Sequence, residues 1–421
     1  MTGLRRRICI LYHFFHPDDV VSSRHFSDLA EDFAAAGWEV EVLPSNRSCR
    51  NPSRQYPAKE TWKGIQIHRV WRPPLSQSST AGRLLNAFWM LAAWSRLAFR
   101  SAATRPDVVL VGTDPVLSVL IALPLKWLRP QMKVVHWAFD LYPEAAVADG
   151  LLTQSSRKVR ILTTLLRRAY RHCDLIADLG PCMQQRLQVY GESLPMRTIV
   201  PWALSEEPGP RPAEPSLRRR LFGDAGLTLL YSGNFGRAHS FQEFLALARH
   251  MRSSGVDFRW SVRGNAVADL QAAIQPEDTN VGLLPFVKEE ELASHLAAAD
   301  IHMASLKPDW SGIVVPSKFF GSLAAGRPIL FAGPEGSSVG RWIRQHRVGW
   351  VLTSDNIEEA AAWLRSLAAS PDLLAELQTR CHAVYRNYFC REKMISIWVH
   401  ELARLTSPEQ RHVRAAHIGT P

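Results

Sequence analysis

Two rhythms of hydrophobic residues alternate along the chain. Short runs rich in β-branched residues, such as "RICILYHF" from Arg7 to Phe14, predict strands. Between them lie stretches with apolar residues at helical spacing. "SSRHFSDLAEDFAAAG", Ser22 to Gly37, has that spacing, a Ser as N-cap and a closing Gly, and predicts a helix. "WEVEVLPS" and "GIQIHRVW" follow as strands around a polar loop from Asn46 to Lys59. "PDVVLVGTDP", "KVVHWAF" and "DLIADLG" continue the series. Strands separated by helices imply a parallel sheet covered on both faces, the doubly wound α/β architecture.

Near Pro201 the texture changes. "EEPGPRPAEPSLRRR", Glu206 to Arg220, is rich in proline and charge and reads as a linker. The alternation then restarts with "LTLLYSGNFG" and runs through "DFRWSVRGN", "TNVGLLPF", "GRPILFAG" and "GWVL". With 421 residues, two domains are expected. They are assigned to residues 1–205 and 225–388, joined by a linker over 206–224. A C-terminal helix, Arg391 to Leu405, and a polar tail fill 389–421, the helix packing back toward the N-terminal domain. Open α/β sheets bind ligands at the carboxyl ends of their strands, so two facing domains would hold a cleft between them.

The formal net charge of +11 and pI near 9.6 point to an anionic partner without choosing among nucleic acid, membrane and phosphorylated substrates. No RNA-binding signature or zinc-finger spacing favours nucleic acid. The six cysteines are scattered, form no C-x-x-C pair, and read as small buried hydrophobes in a reducing compartment. "MTGLRRRICILYHFF" mimics a signal peptide, but its apolar run is short, interrupted by His13 and His16, and better read as the first strand. "LLNAFWMLAAWSRLAF", Leu84 to Phe99, falls short of a membrane span and is peripheral at most. "SRKVRILTTLLRRAYRH", Ser156 to His172, sets Arg157, Lys158, Arg167, Arg168 and Arg171 against Ile161, Leu165 and Leu166. Such a helix suits either a solvated surface or anionic lipid. A cytoplasmic chain, peripheral at the inner face of the cell membrane, is the expectation.

P-loop, dinucleotide, nucleophile-elbow and zincin motifs are all absent from the sequence. What remains is a set of strand-to-helix junctions. "YSGNFGRAHSF" offers Gly233 and Gly236 for close backbone approach, with Arg237 and His239 just before a helix. "VRGN" places Arg263 after another strand. "GIVVPSKFFGSLAAGRPIL" reads as a strand, Ile313 to Val315, ending in Pro316, Ser317 and Lys318 at a helix entrance. Cations from separate junctions beside free backbone N–H groups make a seat for a diphosphate.

"YSGNFGRAHSF", "VGLLPFVKEEELASHLAAADIHMASLKP", "VVPSKFFGSLAAGRPIL" and "VGWVL", in this order, resemble the C-terminal domain of retaining GT-B glycosyltransferases of the family-4 type. They are most similar to the subgroup of bacterial capsule and exopolysaccharide assembly, including colanic-acid-type enzymes. "FFHPDDVVSSRHFSDLAEDFAAAGWEVEVL", "DPVLSVLIALPLKWL" and "FDLYPEAAVADGLL" agree with the N-terminal half. The resemblance implies two Rossmann-like domains facing a central cleft, a nucleotide-diphosphate sugar (a UDP-sugar foremost) and a glycan or polyprenyl-diphosphate-linked acceptor. It implies no cofactor and no metal. On it, Gly233, Asn234, Gly236, His239, Arg263 and Ser317 line the donor site, Ser317 capping the helix that faces the phosphates. Arg237 and Lys318 hold the diphosphate, and Pro285 and Phe286 lie beside the nucleobase. Asp140 is the catalytic candidate in the N-terminal half, orienting sugar or acceptor, with a helix N-cap as its plain alternative. Glu144 is weaker, an exposed first-turn acid.

The chain departs from the pattern in places. The two acids that many relatives carry fall at Ile313 and Gly321, leaving Asp309 as a substitute only if its loop folds inward. A His-Asp pair before "LYP" becomes Phe139-Asp140, with His136 displaced. The glycine-rich first loop is replaced by "DDVVSSRH", where Ser22, Ser23 and Arg24 are candidate acceptor or phosphate contacts. Three other readings follow: a silent GT-B subunit that binds a nucleotide or a partner, a nucleotide-sugar 2-epimerase, and a nucleic-acid-binding protein resting on charge alone.

Overall fold

The computed structural model describes residues 6–407 except 19 and 78. The chain forms two compact units. The first comprises Met1–Gly180, Gln184–Val200 and Met394–Pro421; the second comprises Pro181–Met183 and Pro201–Lys393.

The first unit is built on an eight-stranded sheet. In chain order its strands are β1 (Arg7–Leu11), β2 (Glu39–Val42), β3 (Lys59–Trp62), β4 (Ile65–His68), β5 (Val108–Gly112), β6 (Lys133–Trp137), β7 (Leu175–Asp178) and β8 (Met196–Thr198). Their spatial order is β3-β4-β2-β1-β5-β6-β7-β8, all parallel neighbours except the antiparallel edge pair β3–β4. β5 is buried at every position, as a central parallel strand covered on both faces must be. Beneath it Trp137, Phe26 and Trp398 form a ring cluster, with Trp137 and Trp398 centroids 5.4 Å apart. Each such side chain contributes roughly 1.5–3 kcal/mol by leaving water.

The second unit holds six parallel strands. They are β9 (Leu227–Asn234), β10 (Val256–Arg263), β11 (Val281–Leu284), β12 (Ile301–Ser305), β13 (Ile329–Ala332) and β14 (Gly349–Leu352), in the order β11-β10-β9-β12-β13-β14. Read by appearance that is 3-2-1-4-5-6, the dinucleotide-fold order, and β4-β2-β1-β5-β6-β7 repeats it in the first unit. The doubly wound α/β expectation is therefore met in both units.

Several local expectations are corrected. The first long helix spans Val21–Ala35, and its N-cap is Val20, so Ser22 lies inside the helix and caps nothing. Residues 313–315 form no strand: Gly312, at φ +75°, turns the chain, and Val314 makes only an isolated bridge with Ser311. The 206–224 linker contains the helix Pro215–Phe222. Its Leu217, Leu221 and Phe222 pack on Leu230 and Ala298, so the segment is part of the second unit. Trp94 is fully buried, its indole N–H donating to the Leu43 carbonyl at 2.8 Å. The C-terminal helix Arg391–Leu405 joins the first unit from Met394, through Trp398. The polar tail beyond it lies, from residue 408 on, outside the described residues. Five of the cysteines are buried and Cys49 half-buried, all with free thiols.

Candidate functional site

In a sheet of this order, ligands sit beyond the carboxyl ends of the strands where the winding reverses. In the second unit that point lies between β9 and β12. β9 ends in Ser232, Gly233 and Asn234. Gly233 adopts φ +117°, which L side chains rarely adopt, and a Cβ there would stand 3.3 Å from Lys318 Cε. The Lys318 ammonium donates to the Asn234 carbonyl oxygen at 2.8 Å and lies 5.1 Å from the centre of the Tyr231 ring. Desolvation in this half-buried place lowers its pKa to about 8, so an incoming anion would stabilise its charged form. Arg237 follows Gly236 on the same exit loop and is exposed.

His239 is fixed by Ser305 at the end of β12. Its Nδ1 lies 2.8 Å from the Ser305 carbonyl, which can only accept, so Nδ1 carries the proton. Burial, then the charges of Lys318 and Lys307, depress its pKa to about 3. The ring is neutral and its Nε2 keeps a lone pair, which suits a hydroxyl donor better than a phosphate oxygen.

β10 runs in register with β9, pairing Arg263 with Asn234. The Arg263 guanidinium stacks 4.3 Å from the centre of the exposed Phe286 ring. Ser261 holds the neighbouring segment by donating to the Pro285 carbonyl at 2.8 Å. Gly264 is at φ +132°, and a Cβ there would come within 2.5 Å of the Phe235 carbonyl. Gly233, Asn234, Gly236, His239, Arg263, Pro285, Phe286 and Lys318 thus gather at the ends of β9, β10, β11 and β12.

Ser317 precedes Lys318 and is exposed, but its side chain makes no cap bond, correcting the capping expectation. Ile313 is buried in the core, while a Cβ on Gly321 would meet open space. Asp309 is exposed on the turn Pro308–Trp310. Sequence reading missed Tyr231, Ser305 and Lys307. The last ties its backbone N–H to the Ala238 carbonyl at 2.8 Å, and only its charge hinted at a role.

The first unit reverses between β1 and β5, and there two acids, Asp114 and Asp140, stand near His13. His13, just past β1, is fully buried; its Nδ1 lies 3.1 Å from an Asp114 carboxylate oxygen and its Nε2 has no partner. Thr113 accepts the Phe139 backbone N–H at 2.7 Å, fixing the loop that carries Asp140. Burial, with Asp114 adding repulsion, raises the Asp140 carboxyl to about 6. The helix beyond it opens at Pro143, so Asp140 is not its cap. Glu144 is not an exposed acid: half-buried, it accepts the Tyr190 hydroxyl. His136 is buried against the Val111 carbonyl at 3.0 Å, where desolvation lowers its pKa to about 4. Of the three candidates on the first long helix, Ser22 hydrogen-bonds Tyr12. Ser23 is buried with an unpartnered hydroxyl, and Arg24 points outward beside Asp28 at 3.4 Å. Asp114, absent from the candidates, bonds His13 through both its carboxylate and its backbone carbonyl and acts on Asp140 through its charge. Among the described residues no cluster of His, Cys, Asp and Glu could hold a metal ion.

Residues 22–203 match the family model of the glycosyl transferase 4-like domain. A probable glycosyltransferase, WbjE of Pseudomonas aeruginosa, is 28% identical over 260 residues, covering 59% of this chain. The matched region spans 63% of that relative's length. Among solved structures, sucrose-phosphate synthase from Thermosynechococcus elongatus superposes with TM-score 0.71 at 14% identity, covering 95% of this chain and 98% of that one. Anabaena HepE, solved with UDP and glucose, gives TM-score 0.64 at 13% identity, covering 95% and 100%. These likenesses show the GT-B fold.

Proposed function

We propose that this chain is a retaining glycosyltransferase that takes a sugar from a nucleoside-diphosphate donor, foremost a UDP-sugar. Its acceptor is a glycan or a polyprenyl-diphosphate-linked glycan of surface-polysaccharide assembly. The observation that carries the reading is Lys318, held against the carboxyl end of β9 at the switch point with its ammonium partly desolvated. The named relatives support it: WbjE is called a probable glycosyltransferase, and HepE was solved with UDP and glucose.

In this reaction the bond from the anomeric carbon to the diphosphate oxygen breaks, and the acceptor oxygen attaches on the same face. The acceptor proton passes to the departing diphosphate. Lys318 and Arg237 offset the charge that grows on that leaving group, the largest single demand of the step. Hydrogen bonds to charged groups contribute about 1.5–3 kcal/mol each, so two of them decide the affinity. His239 takes a donor hydroxyl at Nε2, and Arg263 with Phe286 flanks the nucleobase. Asp140 in the first unit orients the acceptor.

Calorimetric titration of the full chain with UDP, GDP, ADP and dTDP tests the donor, with UDP expected to bind most tightly. No heat with any nucleoside diphosphate would sink the reading. One observation favours a second reading, a nucleotide-binding subunit without turnover: the positions of the expected acids hold Ile313, which is buried, and Gly321. Binding of UDP with no release of UDP from any UDP-sugar, with or without acceptor, would select it.

A further inference from the structure

The helix Thr80–Trp94 has its faces arranged unlike those of an ordinary surface helix. Gly82, Asn86, Ala87, Met90 and Trp94 form the buried side. From Ala81 to Ala92 the exposed residues are Ala81, Leu84, Leu85, Phe88, Trp89 and Ala92, with no polar group among them. Phe88 is 71% exposed, Leu85 56% and Leu84 51%. A helix that is apolar all round is normally buried, and a soluble surface rarely shows so continuous an apolar stripe.

The stripe is extended by aromatics from its neighbours. Trp71, exposed, stacks edge-on with Trp89 at 5.1 Å, and the Trp89 indole donates to the Trp71 carbonyl. Phe99 ends the turn Ser95–Phe99, which packs on the helix Ala122–Leu128, whose Trp127 is 81% exposed.

Basic residues predominate in the neighbouring segments. From Trp71 to Arg105 the chain carries neither Asp nor Glu; Arg72 is buried and Arg100 pairs with Glu41, while Arg83, Arg96 and Arg105 are half-buried or exposed. The helix Arg157–Arg171 packs against both Ala122–Leu128 and the turn Ser118–Ile121, and that turn also meets the apolar helix. It too is free of acids, and its Arg157, Lys158, Arg160, Arg167, Arg168 and Arg171 are all exposed.

We propose that this face of the first unit docks on an anionic lipid surface. Leu84, Leu85, Phe88 and Trp89 enter the headgroup–acyl boundary, and the Arg157–Arg171 helix lies along the phosphates. Apolar burial and attraction to anionic headgroups act together in such binding, and aromatic residues favour the interfacial depth. A continuous apolar stripe beside a helix with six exposed basic side chains matches the two-part chemistry of an anionic bilayer surface. The proposal stands apart from sugar transfer, since its test reads only lipid binding.

The test is flotation of the full chain with vesicles of mixed phosphatidylglycerol and phosphatidylcholine, and of phosphatidylcholine alone. The wild type is expected to float with the mixed vesicles only, and less as salt rises. The Leu85→Gln, Phe88→Gln pair should lower partition by at least about tenfold, and Arg167→Glu with Arg168→Glu by about tenfold. A fluorophore attached in the Phe88→Cys variant should shift to the blue on mixed vesicles, a readout that remains if the glutamine pair lowers the melting temperature. Three results would overturn the proposal. One is a wild type that stays unbound; another is an unshifted fluorophore. The third is self-association in lipid-free buffer that the glutamine pair abolishes, which would make the face a contact between copies.

Discussion

At the end of β9, the polar groups around the reversal of the second sheet are Lys318, Lys307, Arg237 and Arg263. At the equivalent end of β1 in the first sheet they are His13, Asp114 and Asp140. The strand order is the same, so topology alone puts polar side chains at both places. What differs is the charge that each half cannot neutralise by itself. In the second unit, burial pushes a lysine toward neutrality; in the first, it pushes an aspartate the same way. Each unit thereby holds a partly desolvated group awaiting a partner of the opposite kind, an anion in one and a proton or hydroxyl in the other.

Removing the lysine breaks this contrast most directly. Lys318→Ala should weaken UDP binding by about a hundredfold, roughly 2–3 kcal/mol, by calorimetry, with the melting temperature little changed. Removing the acid should act on stability instead. Asp140 has its pKa raised from 3.8 to about 6, so its ionised form penalises the fold. That penalty is absent in strong acid, grows between those two values and is complete above the upper one. Asp140→Asn should therefore stabilise the protein by about 2 kcal/mol at neutral pH, with no gain in strong acid, as read from denaturant melts across pH. The same change should abolish transfer while UDP binding persists.

A pH titration sharpens the contrast without mutation. UDP affinity should stay level up to about pH 8, the value to which Lys318 is lowered. Above it, affinity should fall by about tenfold per unit as the free lysine loses its proton. A flat profile to pH 10 would detach Lys318 from the nucleotide. The smallest effect is expected at the rim: Arg263→Ala should cost about threefold in UDP affinity, and nothing for pyrophosphate.

Legibility from sequence followed the range of the interactions. β5, β6, β9 and β13 were readable because a buried parallel strand writes itself as a β-branched run. β3, "KETW", was not, since an edge strand with half-exposed residues has no such run. Ile313 to Val315 has the composition of a strand, yet Gly312 turns the chain there. Lys318 and Arg263 could be singled out because glycines and prolines mark their junctions. Ser305, Lys307 and Asp114 could not, because what they do depends on partners distant in sequence. His239 and Ser305 are 66 residues apart, and His13 and Asp114 are 101 apart.

Trp398, sealed against Trp137 and Phe33, belongs to the last helix among the described residues. A ribosome therefore releases nearly all of the second unit before the first can close its core, and folding of the N-terminal half during synthesis must wait for a segment made after the second unit. Gene fragments ending before Met394 would leave the first unit with an open aromatic seam, prone to aggregation. Any attempt to study the first unit in isolation has to supply that helix, in trans or by rearranging the order of the chain.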